Sequence, residues 1–483
     1  MKKRIWYILL ITCVACACVR CKTAQNEPTT ETTTNTGSED DDVDNQDWTS
    51  GILIRWDGTS VTVTGEADSV SVSENQGYVT VISEAREVVY KLTGQGTGQF
   101  SIYSDHKFKL ELEDLTLTCS DGPAINNQGK KTCYVVLTGE NSLTDAGQYA
   151  TSSEDRKAAF FSEGQLSFSG SGILTITGNY KHALASDDYI RFTEGFGGIN
   201  LTSKVSDGMH ANDGIIINDG TINITANAEG IQCDSSSVVI TGGTITITSK
   251  EKGIKSEGDI LISGGTTTVV ATGSSMPEGI ESKGLINITG GTIYAQSNDD
   301  AINAAGELTI SGGIVMAYST NNDGIDANGN CTIKGGTVYA IGARSPELGI
   351  DANTEGGSKL YIQGGNLVAI GGLERNASLT QSCYSASSLS KNVWYALYSN
   401  DEPVFVFKTP SSLSASTCVV STGGTTTLKS AVTTSGGTSM LNDYALTGSS
   451  VSGGTNVSLS AYSGQGGGPG GGGGGRPGGG GGW

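Results

Sequence analysis

The sequence predicts an all-β protein built as a right-handed parallel β-helix with a C-terminal β cap. Three observations carry this. An anchor recurs about every 23 residues, as Asp207-Gly-Met-His, Glu229-Gly-Ile-Gln, Lys252-Gly-Ile-Lys, Glu278-Gly-Ile-Glu, Asp300-Ala-Ile-Asn, Asp323-Gly-Ile-Asp and Leu348-Gly-Ile-Asp. A glycine pair recurs out of phase with it, from Gly242-Gly243 through Gly264, Gly290, Gly312 and Gly335 to Gly364-Gly365. Each period holds short runs of alternating β-branched residues, and these leave no room for a helix. Three strands per period with glycine at the corners describe a solenoid whose equivalent positions stack into columns.

Composition agrees. Glycine makes up 71 of 483 residues, aromatics 6% and charged residues 16%, as suits a narrow core of small and branched side chains.

Residues 1–18 read as a lipoprotein signal. Lys2-Lys3-Arg4 precede an apolar stretch too short to span a bilayer, and small residues at Ala15 and Ala17 lead to Cys18, the expected lipidation site, with Cys16 as the alternative. Residues 19–47, Thr-rich and then acidic, form a solvated linker. Residues 48–380 are the β-helix. Its first rungs, to about Thr118, have alternating runs without a fixed period and supply a cap. Residues 381–463 lose the period and gain larger apolar side chains, as in Val404-Phe-Val-Phe407, which reads as a cap over the open end. Residues 464–483, almost all glycine, form a disordered tail. Cys233 and Cys331 fall at inward positions. Cys119 with Cys133, and Cys383 with Cys418, are placed to cross-link.

The columns carry the functional reading. Around each anchor Ile points inward, and its flanking residues point out. The position before Gly gives His182, Asp207, Glu229, Lys252, Glu278, Asp300, Asp323 and Leu348. The position after Ile gives Ala185, His210, Gln232, Lys255, Glu281, Asn303, Asp326 and Asp351. Rungs stack about 4.8 Å apart, and carboxylates at that spacing repel unless a cation intervenes. Hard oxygen donors on adjacent rungs suit Ca²⁺. The best such group is Asp300, Asn303, Asp323, Asp326, Asn328 and Asp351; a second is Asp187, Asp188, Asp207, Asn212 and Asp213. His182 and His210 read as members of a surface column rather than ligands. On another face Tyr294, Met316 and Tyr339 stack, with Tyr318 beside them, and flat exposed aromatics are suited to sugar rings.

Several motifs follow one another in order: Cys119-Ser-Asp-Gly-Pro-Ala-Ile-Asn-Asn, Ala158-Ala-Phe-Phe-Ser-Glu-Gly, Gly178-Asn-Tyr-Lys-His-Ala-Leu-Ala-Ser-Asp-Asp and Asp207-Gly-Met-His-Ala-Asn-Asp-Gly. With the later Gly-Ile repeats, this series resembles the bacterial carbohydrate-binding β-helix family whose fold is like that of polysaccharide lyases, over roughly Gly51 to Ala461. The resemblance implies a secreted, calcium-containing protein that binds plant-type polysaccharides, acidic pectic chains among them. The chain departs from that pattern at Lys252, Lys255 and Leu348, which interrupt the acidic column.

The expectation is therefore a monomeric lipoprotein of the outer membrane, exposed at the cell surface, that binds polysaccharide with Ca²⁺ as its cofactor and has no assigned catalytic residue. Two other readings stand beside it: a Ca²⁺-dependent polysaccharide lyase, for which Lys252, Lys255 and Lys283 are the candidate bases, and an adhesin without sugar specificity. A net charge of −20 excludes a basic nucleic-acid footprint.

Overall fold

A computed structural model describes residues 47–387 and 389–465. The signal segment with Cys18, nearly all of the linker and most of the glycine tail lie outside these residues. Among the described residues every regular element is a β-strand. The strands form a β-solenoid of about 11 turns with ~24 residues per turn.

Each turn contributes a strand to each of three parallel faces. The first face carries the Gly-Ile anchors and runs from Tyr78–Ser83 to Ile325–Ala327, extended by bridges from Ile325 to Ile350 and from Ile350 to Leu373. The second face includes Val238–Ile240, Ile260–Ile262 and Ile286–Ile288, and the third includes Thr244–Ser249, Thr266–Ala271 and Thr292–Ser297. The long strand Phe108–Thr118 pairs with both Cys133–Thr138 and Glu140–Thr144, so the second and third faces diverge from it.

The register confirms the columns. Ala185, His210, Gln232, Lys255, Glu281, Asn303 and Asp326 are successive partners on the first face. Inside, Met209, Ile231, Ile254, Ile280, Ile302, Ile325 and Ile350 are fully buried, one per rung. Cys233 and Cys331 are buried among them. The anchor glycine is required by the third face. A Cβ on Gly230 would lie 2.2 Å from Ile247 Cγ2, and one on Gly253 2.0 Å from Val269 Cγ1. The third-face residue shrinks to Ala295 and then Ala317, and there the anchor tolerates Ala301. In the corner pairs the second glycine has a positive φ, such as +81° at Gly243, which L-residues adopt at a cost.

Both ends are closed by antiparallel pairing. At the N-terminal end Ser50–Gly58 turns back on Ser60–Thr64, and Val70–Asn75 on Tyr78–Ser83. At the other end Cys418–Ser421 pairs antiparallel with the last third-face strand, Asn366–Ile370. The C-terminal segment does more than close the end. Its six-stranded antiparallel sheet, between Trp394 and Asn456, also packs sideways against the third face.

That packing corrects the expected aromatic surface. Tyr294, Met316, Tyr318 and Tyr339 do stack, but Tyr318 is only 3% exposed and the other three 1% or less. They are covered by Phe405, Phe407 and Tyr395 of the C-terminal sheet and by Leu441 in the turn between two of its strands. Apolar residues on the outside of a solenoid strand are satisfied here by a second module rather than by ligand.

The cysteine pairings also differ from expectation. Cys119, Cys133, Cys383 and Cys418 are all free and buried. Cys383 faces Ser421 and Cys418 faces Ala386, at opposite ends of one strand pair. Cys133 lies between Phe108 and Leu166, so it is core rather than a bridge to Cys119.

Candidate functional site

Among the described residues, two groups of side chains on the first face could hold a metal ion. The first is acidic and lies near the C-terminal end of the solenoid. Asp323, Asp326 and Asp351 each bring a carboxylate oxygen within 4.8 Å of the others. Asp323 comes from the position before the anchor glycine. Asp326 and Asp351 come from the position after Ile on successive rungs. Asp300 stands one rung earlier in the Asp323 column, and its Oδ1 accepts the Asp323 amide at 2.9 Å. Asp323 accepts the Leu348 amide in the same way. The pre-glycine carboxylates therefore tie each rung to the next, and this explains why Asp300 and Asp323 are buried although they lie outside the core.

The electrostatics of this group favour a bound cation. Burial and the charges of Asp326 and Asp323 push the Asp300 carboxyl up to about 9. Burial, a hydrogen bond with Glu374 and the charges of Asp323, Glu374 and Asp326 push Asp351 up to about 9. Crowded carboxylates of this kind release their protons readily only when another positive charge arrives. The donors are hard oxygens, which fits Ca²⁺. Asn303 uses its amide on Asp300 at 3.5 Å, and Asn328 is exposed at the end of its strand. Glu374 is a member that sequence reasoning missed. It follows Leu373, which bridges to Ile350, so it continues the Asp326 and Asp351 column one rung on. The signal that could have found it was Gly372-Leu373-Glu374, 23 residues after Gly349-Ile350-Asp351.

The second group is His182, Asp207 and His210, near the other end of the face. Nδ1 of His182 lies 3.1 Å, and Nδ1 of His210 2.9 Å, from Asp207 Oδ2. Nε2 of His210 meets Asp234 Oδ2 at 3.1 Å. Burial opposes ionisation of Asp207, but the two imidazoles outweigh it and hold its carboxyl well below the usual range. Burial also holds His182 below the ordinary imidazole value, against the pull of Asp207. Sequence reasoning gave both histidines a surface role. His182 is 2% exposed, and the signal that could have found the group was the one-rung offset of His182 and Asp207 in the same column.

The expected grouping of Asp187, Asp188 and Asp213 with Asp207 is not formed. Asp187 pairs with Lys157 and receives the Asn212 amide at 3.4 Å. Asp188 Oδ1 accepts the Tyr189 amide at 2.9 Å, which caps its own turn. Asp213 accepts the Ser235 hydroxyl at 3.2 Å. Asp207 is taken by the histidines.

Between the two groups the column is neutralised by lysine. Lys252 pairs with Glu281 at 2.8 Å and Glu278 at 3.4 Å, Lys283 pairs with Glu281, and Lys255 with Glu257 at 3.1 Å. Burial works against the Lys252 ammonium, but Glu281 and Glu278 outweigh it and hold it protonated. A lysine held this way is a poor base.

An exposed aromatic stack does exist, at a place the sequence did not mark. Tyr180, 41% exposed, stacks on Tyr149 with ring centroids 4.1 Å apart and planes 21° from parallel. Tyr149 is fixed by hydrogen bonds to Asp145 at 2.6 Å and to the Ala158 carbonyl at 3.0 Å. The Arg156 guanidinium lies 5.8 Å from the Tyr149 ring centre. These residues sit two positions before His182 and in the loop that precedes Ala158.

The family model described as carbohydrate-binding domain-containing protein matches residues 75–324. A solved structure titled as the polysaccharide lyase-like protein from C. thermocellum, gadolinium derivative, aligns at 21% identity and a TM-score of 0.34, covering 62% of this chain and 96% of that one. A search of curated proteins gives no match.

Proposed function

This chain belongs to the family of carbohydrate-binding domain-containing proteins, and from that premise we propose that it binds acidic, pectin-type polysaccharide at the cell surface through Ca²⁺ held on the first face. The observation that carries the proposal is the convergence of Asp323, Asp326 and Asp351, with Asp300 and Glu374 beside them. Ca²⁺ held there would supply positive charge that a glycan carboxylate can share. A protein of net charge −20 otherwise repels such a chain. Tyr180, rigidly backed by Tyr149, is the aromatic surface best placed to take a sugar ring, and Arg156 the adjacent cation for a uronate. Anchoring through Cys18 would display the solenoid outside the cell.

The lysines favour a binder over a lyase, because Lys252, Lys255 and Lys283 are each engaged with glutamates rather than open to a substrate proton. The test is calorimetric titration with polygalacturonate, with calcium and then with chelator. Binding should require calcium, weaken with added salt and be lost in Asp323→Asn/Asp326→Asn, while no unsaturated product accumulates. Equal binding in chelator would remove calcium from the reading. Product formation that disappears in a Lys252, Lys255 or Lys283 variant would replace the binder with a lyase.

A further inference from the structure

We propose that His182, Asp207 and His210 form a binding site for a divalent transition ion of the zinc class, separate in place and in chemistry from the calcium site. The three donors come from two successive rungs. His182 and Asp207 occupy the same column, and Asp207 and His210 flank the Gly208-Met209 anchor. One donor atom from each lies within 4.8 Å of the others. The two shortest separations, 2.9 and 3.1 Å, match neighbouring ligands around one ion. Ligands at 2.0–2.1 Å and angles of 90–109° stand about 2.9–3.4 Å apart.

The hydrogen-bond accounting points the same way. Each ring nitrogen of His210 faces a carboxylate, Nδ1 that of Asp207 at 2.9 Å and Nε2 that of Asp234 at 3.1 Å. In the tautomer that donates Nε2–H to Asp234, the Nδ1 lone pair faces the Asp207 oxygen. Two lone-pair atoms at that distance need a proton or a cation between them. Asp234 is then the outer carboxylate that orients a ligating imidazole. His182 Nδ1 meets both Asp207 Oδ2 at 3.1 Å and the Asp207 amide N–H at 3.4 Å. If it accepts from the amide, it too presents a lone pair to the carboxylate. If it donates to the carboxylate, the amide loses its acceptor. In either tautomer His182 Nε2 is buried without a hydrogen-bond partner among the described residues. A metal on both Nδ1 atoms and Asp207 would satisfy the lone pairs that face the carboxylate in the Nε2–H tautomers, with the Asp207 amide giving up His182 as its acceptor.

Two imidazoles and a carboxylate select zinc, nickel, cobalt or copper over calcium, which takes oxygen donors. Glu229, one rung on in the same column, donates its amide to Asp207 Oδ1 at 3.3 Å. An ion here would cross-link the rungs that begin at His182 and Asp207.

The chain contains three histidines, so imidazole NMR resolves the site directly. Tag-free protein, stripped with chelator and labelled at histidine, is titrated with zinc and, separately, with calcium. Zinc at one equivalent should shift the His182 and His210 signals and leave His106 unmoved, and calcium should shift none of them. Calorimetry should show zinc binding weakened more than tenfold in His210→Gln and about tenfold in Asp234→Asn. Asp323→Asn/Asp326→Asn should bind zinc normally, which separates this site from the calcium reading. Unmoved His182 and His210 signals, or zinc affinity unchanged in His210→Gln, would mean that the three residues form a hydrogen-bonded cluster only and would overturn the proposal.

Discussion

The Tyr339 hydroxyl donates to the Lys408 carbonyl at 3.1 Å, joining the third face of the solenoid to the C-terminal sheet. The ring itself is tilted against Phe407 at 4.9 Å and set edge-on to Phe405 at 5.9 Å. Tyr339 is therefore structural. Tyr339→Ala should cost about 3–5 kcal/mol, the usual range for emptying an aromatic site. Tyr339→Phe should cost about 1 kcal/mol, for the hydrogen bond alone. Denaturant unfolding measures both. Polysaccharide affinity of the folded variants should stay at the wild-type value, and a selective loss of affinity would return Tyr339 to the binding surface.

The contrast between Tyr339 and the Gly-Ile anchors shows what the sequence can express. Met209, Ile231 and Ile254 alternate with polar neighbours on every rung, so their inward direction and the partnership of Gln232 with Lys255 were legible. Alternation also placed Tyr339 on the outside of its strand, correctly. It could not say that residues 394–456 would cover that outside, because this contact has no period. Asp323, Asp326 and Asp351 were legible as a group because columns are a property of the repeat. Glu374 and the pairing of His182 with Asp207 stand in the same columns but were not read. Leu373 replaces the anchor Ile before Glu374, and alternation alone gives His182 a surface place, while its burial depends on how its ring packs beside Asp207 and His210.

Gly230 tests the packing rule between faces. An alanine there meets Ile247 Cγ2 at 2.2 Å and the Gly253 carbonyl at 2.6 Å. Gly230→Ala should cost about 1–3 kcal/mol through overpacking. Combined with Ile247→Ala it should destabilise less than the sum of the two, because the shortened side chain makes the room that Ala301 already enjoys beside Ala317. Strict additivity in denaturant unfolding would show that the clash is relieved elsewhere.

Tyr180 is expected to matter for ligand and not for folding. Its outer face is open while Tyr149 holds its inner face. Tyr180→Ala should lower polysaccharide affinity about tenfold, equivalent to an aromatic contact of about 1.4 kcal/mol. The melting temperature should move by only a degree or two. Unchanged affinity in calorimetry would move the sugar-binding surface away from this stack.

Cys18 carries the expectation of surface anchoring. Metabolic labelling with a fatty-acid analogue should mark the wild-type chain and not Cys18→Ser. Label retained in that variant would assign the lipid to Cys16.

The acidic group makes a prediction about pH whose sign follows from the direction of its shifts. In the cation-free protein Asp300 and Asp351 keep their protons up to about 9. In the unfolded chain they ionise near 4. Between these limits the folded state binds more protons than the unfolded one, so stability falls as pH rises. In chelator the melting temperature should therefore decline steadily from pH 5 to pH 9, by roughly 2 °C for each kcal/mol lost. Calcium binds the ionised carboxylates and only the folded chain assembles them, so saturating calcium should flatten the decline and raise the melting temperature most at the alkaline end. Asp300→Asn removes one titrating group and should make the chelated protein less sensitive to pH, even where its absolute stability changes. Scanning fluorimetry across the range, with and without calcium, measures the whole set. A chelated melting temperature that is level with pH, or a slope that Asp300→Asn leaves intact, would mean that the crowding of Asp300, Asp323, Asp326 and Asp351 is relieved without a cation.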